Sequence, residues 1–98
     1  HLDKPKLILN ENLTVIENDQ VRLRCLIDSN PKCSQIRWLF NQDELSKRTC
    51  SNFYSEEYLI ENITRLQSGL YTCEVWNQLN EHIQGISSSS VEVRVQCK

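Results

Sequence analysis

A chain of 98 residues suits one domain with a single two-layer core and leaves no room for a second. With 39% hydrophobic residues, 24% charged residues and a net charge of −2, it reads as globular and soluble, without electrostatic attraction to nucleic acid or anionic membrane. No uninterrupted apolar run exceeds three residues, which excludes a membrane-spanning helix.

Two-residue alternation recurs along the chain, and helical periodicity is absent. Leu7 to Ile16 is predicted to be an edge strand broken near Asn10 to Asn12. Gln20 to Ile27 sets Val21, Leu23, Cys25 and Ile27 on one face. Ser29-Asn30-Pro31-Lys32 is a loop, because Asn and Pro favour turns and Pro lacks a backbone donor. Ser34 to Asn41 sets Ile36, Trp38 and Phe40 against Gln35, Arg37, Leu39 and Asn41, and Asn41 to Glu44 reads as a hairpin turn. Tyr58 to Ile63 is a shorter strand, and Arg65 to Gly69 a tight corner. Leu70 to Asn77 puts Tyr71, Cys73, Val75 and Asn77 on one face and Leu70, Thr72, Glu74 and Trp76 on the other. After a long polar connection, Val91 to Gln96 closes the series with Val91, Val93 and Val95 on one side. About seven short strands separated by turns point to an all-β antiparallel sandwich.

Five cysteines, Cys25, Cys33, Cys50, Cys73 and Cys97, are dense for this length. Two N-glycosylation sequons, at Asn12 (Asn-Leu-Thr) and Asn62 (Asn-Ile-Thr), accompany them. Together they place the chain in an oxidising, secretory compartment and predict an extracellular location. No secretory leader is visible, so residues before His1 are expected to have been removed or to lie outside this chain.

Cys25, Trp38 and Cys73 all fall on inward faces. A disulfide between two packed sheets, with a tryptophan against it, would fill the centre of a sandwich and contribute about 3 to 5 kcal/mol. Tyr71, two residues before Cys73, sits where an immunoglobulin domain has its tyrosine corner. The chain resembles an immunoglobulin-superfamily domain nearly end to end. "VRLRC" resembles strand B, "IRWLF" strand C, "YLIENITRLQSGLYTCEVWN" strands E and F, and "VEVRV" strand G. The resemblance implies a β-sandwich of two antiparallel sheets, ABED and GFCC′, with a central inter-sheet Cys25–Cys73 disulfide. Only 16 residues, Gln42 to Glu57, separate strands C and E, which leaves no comfortable space for a C″ strand. The pattern is thus I-set-like, with the C2 type as runner-up, and the run Cys73, Val75, Asn77 is similar to the I-set strand F. One departure is Gln67, where the family usually carries an aspartate paired to an arginine. Leu66 packing and Tyr71 hydrogen bonding are expected to hold the corner instead.

In that topology the C–C′ turn brings position 33 near positions 50 to 52, so Cys33 and Cys50 are expected to form a second disulfide, the alternative being two free surface thiols. Cys97 follows strand G at the opposite end, out of reach of both. Its expected partner is another domain, another chain or a small thiol, consistent with a domain cut from a longer ectodomain.

Nothing points to catalysis. The two histidines are His1 and His82, the two glycines form no phosphate loop, and no nucleophile or metalloprotease motif occurs. Asp43-Glu44 and Glu56-Glu57 are successive strand or loop residues and make no acid–base dyad. No spacing suggests zinc, and no cofactor is expected.

The remaining surface is the outer face of the G-F-C-C′ sheet. Arg37 and Leu39 on C, Glu74 and Trp76 on F, and Arg94 on G are the expected partner-binding residues. Glu74 would stand between Arg37 and Arg94 as a charge ladder, and Leu39 and Trp76 would form an apolar patch. The competing expectation is that Leu79, Ile83 and Ile86 of the F–G connection fold over Trp76, or that this connection projects as an extended hairpin. N-linked glycans on Asn12 and Asn62 would lie away from this face. The resemblance implies a receptor or adhesion domain that binds another cell-surface or secreted protein, homophilic contact included, or else a spacer module without a ligand.

Overall fold

The computed structural model describes residues 3–9, 11–50 and 55–98. Its elements are β1 (Asp3–Ile8), β2 (Leu13–Ile16), β3 (Val21–Asn30), β4 (Gln35–Phe40), β5 (Asp43–Thr49), β6 (Ser55–Ile60), a one-turn 3-10 segment (Arg65–Gln67), β7 (Gly69–Gln78) and β8 (Gln84–Gln96). They form a three-stranded sheet, β1-β3-β6, packed on a five-stranded sheet, β2-β8-β7-β4-β5.

Alternation explains the core. In β3, Val21, Leu23, Cys25 and Ile27 are buried while Arg22, Arg24, Leu26 and Asp28 are exposed. In β7, Tyr71, Cys73, Val75 and Asn77 are buried, and in β8 so are Val91, Val93 and Val95. The Cys25–Cys73 disulfide links the two sheets with Cα atoms 6.5 Å apart, and Trp38 is 1% exposed in the same core cluster. The Trp38 ring centroid lies 5.8 Å from that of Tyr58. This bridge closes a span of 48 residues and, by restricting the unfolded chain, is worth about 4 kcal/mol.

Two expectations need correction, and one lies outside the described residues. The first strand region is two strands in different sheets: β1 pairs antiparallel with β3, and β2 pairs parallel with β8. The larger sheet is therefore mixed, because the chain crosses between layers after Leu9 and re-enters beside β8 running the same way. Asp43–Thr49 forms C′ against β4. The expected D strand has no counterpart among the described residues, and residues 51–54 lie outside them.

The second correction is at the corner. Leu66 is 91% exposed, so its packing does not hold the corner. The Tyr71 hydroxyl donates to the Gln67 carbonyl at 2.6 Å, and the Gln67 side-chain oxygen accepts from the Thr64 amide at 2.8 Å. Glutamine thus satisfies a backbone donor of the turn through its neutral amide.

Candidate protein-binding face

The outward face of the five-stranded sheet is set by register. Arg37 stands opposite Glu74 across the β4–β7 ladder and opposite Lys47 across the β4–β5 ladder. One step of alternation away, Trp76 stands between Gln35 on β4 and Ile86 on β8.

Electrostatics ties this group together. Arg37 Nε and Nη2 donate to Glu74 Oε1 at 3.0 and 2.6 Å, and Nη1 lies 3.5 Å from Glu44 Oε1. The hydrogen bond that Arg37 donates to Glu74 is the main cause that raises the Arg37 pKa above its ordinary value. The Arg37 guanidinium carbon is 5.6 Å from the centroid of the Trp76 ring, and Lys47 Nζ is 5.4 Å from it. Both distances are within cation–π range. Trp76 is half-buried, and both cations approach its ring.

The connection between β7 and β8 does not fold over the indole. The two strands remain paired as far as Gln78 and Gln84, so the extended hairpin is the observed form, and Ser87–Ser90 are strand residues. Its tip is closed by Leu79 N donating to Ile83 O at 2.9 Å. Asn80 Oδ1 accepts from the His82 and Ile83 amides at 2.8 and 3.0 Å. Ile83 and Ile86 are 53% and 50% exposed, and His82 is exposed at the tip.

Two sequence-derived members do not join the cluster. Leu39 lies opposite Thr72 and Glu44 and is only 8% exposed, so it adds no accessible apolar surface beside Trp76. Arg94 lies six positions further along β8 than Ser88, the residue that faces Glu74. That is about 20 Å at ~3.3 Å per residue. Arg94 pairs instead with Glu92 at 3.0 Å, and the three-residue charge ladder does not form. Lys47, which the sequence reading left out, and Ile86, expected there only as cover for Trp76, take their places. The C–C′ turn residues could have given Lys47, but only with the register shift between Trp38 and Leu39 known.

The remaining candidates lie elsewhere. Cys33 and Cys50 are disulfide-bonded with Cα atoms 6.1 Å apart, and both are buried. The buried Asn77 donates to Ser29 Oγ at 3.1 Å and to the Pro31 carbonyl at 3.0 Å, which anchors the β3–β4 loop to β7 beside that bridge. Cys97 is an exposed free thiol whose sulfur lies 3.1 Å from Arg65 Nη1. Asn12 and Asn62 are exposed, and Asn12 Oδ1 accepts from the Glu92 amide at 2.9 Å at the head of the β2–β8 ladder. Among the described residues, no group of three or more His, Cys, Asp or Glu side chains is placed to hold a metal ion.

A sandwich with an inter-sheet disulfide, a tryptophan packed in the same core and a tyrosine corner is now in place. The family model described as immunoglobulin domain matches residues 4–77. The chain belongs to the immunoglobulin domain family. This immunoglobulin domain is 30% identical over 81 residues to the cell adhesion molecule CEACAM16 of Rattus norvegicus, a match that covers 81% of the chain and 18% of the relative. It is 31% identical over 70 residues to the irregular chiasm C-roughest protein of Drosophila melanogaster, covering 68% and 8%. It is also 34% identical over 74 residues to smooth-muscle myosin light chain kinase of Gallus gallus, covering 71% and 4%. The chain thus spans less than a fifth of each of these relatives. Among solved structures, titin domain M4 matches with a TM-score of 0.77 at 20% identity, covering 98% of this chain and 100% of that one. Murine CRIg matches with a TM-score of 0.76 at 19% identity, covering 96% and 99%. At those identities the likeness is one of fold alone.

Proposed function

We propose that this immunoglobulin domain is an extracellular, non-enzymatic adhesion or receptor module that binds another protein through the outward face of its five-stranded sheet. The observation that carries this reading is Trp76, placed outward between β4 and β8 and held by Arg37 and Lys47, with the exposed Ile86 beside it. A rigid aromatic anchor flanked by charges is the arrangement that concentrates binding energy at protein interfaces. The similarity to CEACAM16, a cell adhesion molecule, supports the class of function. Two disulfides and two exposed sequon asparagines support the extracellular setting and N-linked glycans. Asn12 precedes the edge strand β2, two strands from β7, so a sugar there leaves the Trp76 region open.

A second reading is a structural spacer with no ligand of its own, since the chain spans less than a fifth of each of these relatives. One experiment separates the two. The domain, secreted from eukaryotic cells and multimerised on beads, is screened against an array of cell-surface and secreted proteins. Binding that is lost in both Trp76→Ala and Lys47→Glu, with the melting temperature unchanged, supports the binding face. Binding retained by Trp76→Ala refutes that face, and no capture at all supports the spacer.

A further inference from the structure

The pole opposite the β7–β8 tip carries a knob and a cleft side by side. Leu66, in the middle of the 3-10 turn, is 91% exposed, the highest value of any large apolar side chain among the described residues. Beside it a cleft opens between the sheets at the β5–β6 edge, lined by Phe40, Leu45, Tyr58, Leu59 and Tyr71 and by the exposed Glu61. Gln67, the residue after Leu66, also lines this cleft, so knob and cleft adjoin. Leu45 and Leu59 are 39% and 44% exposed, so the cleft, of mixed polar and apolar lining, opens to solvent with two leucine side chains on its wall.

The charges around the two features are complementary. Glu61 has no ion-pair partner among the described residues. Arg65, next to Leu66, places Nε 3.7 Å from Glu17 and Nη1 3.1 Å from Cys97 Sγ, which leaves Nη2 without a partner among the described residues. Leu66 cannot enter its own cleft while it is 91% exposed. A two-fold axis between two copies removes that obstacle, because each knob then meets the other's cleft and both contacts form at once.

We infer that this pole is a self-association site, in which Leu66 of each copy enters the aromatic cleft of a second copy and Arg65 meets Glu61 across the two-fold. The patch is small, so the dimer is a weak, concentration-dependent one. This site is separate from the Trp76 face and stands or falls independently of it.

Sedimentation equilibrium over a wide concentration range tests it, on the secreted domain carrying Cys97→Ser so that thiol crosslinking cannot contribute. The expected result is a monomer–dimer equilibrium. Leu66→Ser weakens it by about tenfold or more, as for a central apolar anchor, with an unchanged melting temperature. Glu61→Arg and Arg65→Glu each weaken it, and the two combined restore it, while Trp76→Ala and Ile83→Ser leave it unaltered. A domain that stays monomeric throughout overturns the proposal and leaves the pole to a different occupant. Association undiminished by Leu66→Ser, or charge variants that fail to rescue one another, overturns it equally.

Discussion

Arg48, on the edge strand of the five-stranded sheet, donates from Nη2 to Glu56 Oε2 on the three-stranded sheet at 3.0 Å. The glutamate side chain is 4% exposed and the arginine 50%. Glu56 stands opposite Cys25 in the β3–β6 register, so it points into the sandwich beside the central disulfide. The pair closes the flank of the sandwich on the β5–β6 side, and the arginine offsets part of the cost of an inward carboxylate.

Arg48→Ala is therefore expected to lower the unfolding free energy by about 1–2 kcal/mol, a value reduced from the fully buried case because half of the arginine meets solvent. Adding Glu56→Leu should recover part of that loss, since the inward carboxylate that Arg48 meets is then removed. Urea titration of the single and double variants reads both effects.

Burial, with a smaller contribution from Tyr58, pushes the Tyr71 phenol from 10.0 up to about 12. Between those values the unfolded chain has released this proton and the folded domain still holds it. The contribution of Tyr71 to stability is thus whole below pH 10 and is lost as pH rises through about 12. Tyr71→Phe should flatten this alkaline limb in thermal melts taken at increasing pH. At neutral pH the same variant should cost about 1 kcal/mol for the missing hydrogen bond to the Gln67 carbonyl.

The Cys33–Cys50 bridge closes a span of 17 residues. Replacing both cysteines with serine should lower stability by about 2–3 kcal/mol while the fold persists on the central bridge. Non-reducing peptide mapping should recover both linked pairs from the parent domain and leave Cys97 alkylatable. Denaturant midpoints then give the cost of the second pair.

Gly85 faces Asn77 across the β7–β8 ladder, where β1 passes close by. A Cβ there would meet the Asn77 side-chain oxygen and would lie 2.8 Å from Lys4 Cα, which is backbone and cannot swing aside. Gly85→Ala should cost about 1–3 kcal/mol through this overpacking. It should also loosen the β3–β4 loop that Asn77 anchors, which amide hydrogen exchange at Ser29 and Lys32 would register.

The layers of the fold were legible because β3, β4 and β7 obey the pleat: one alternation pattern names Cys25, Trp38, Cys73 and Tyr71 as inward together. The binding face was legible only in part. Alternation fixes which way Trp76 and Arg37 point, but lateral neighbours depend on register, and register depends on where a hairpin turns. Reading the serine run as loop shortened β8 and brought Arg94 too close to Glu74. Leu39 does point outward from its strand, yet its flanks are covered from both neighbouring strands, which no single-strand pattern reveals. Leu66 was assigned to packing because it is apolar and sits at a corner. A one-turn helix leaves one side of its turn in solvent, and Leu66 occupies that side.

The four rungs that join Leu13–Ile16 to Val93–Gln96 run parallel, and the chain leaves this ladder in opposite directions, toward β1 at one end and toward Cys97 at the other. Tension applied between residues before β2 and after β8 would slide the two strands along each other and load all four rungs together. An antiparallel pairing at the same edge would instead open one rung at a time, like a zip. The strand that breaks the sheet's antiparallel order is thus the one whose four rungs would share a pull applied along it.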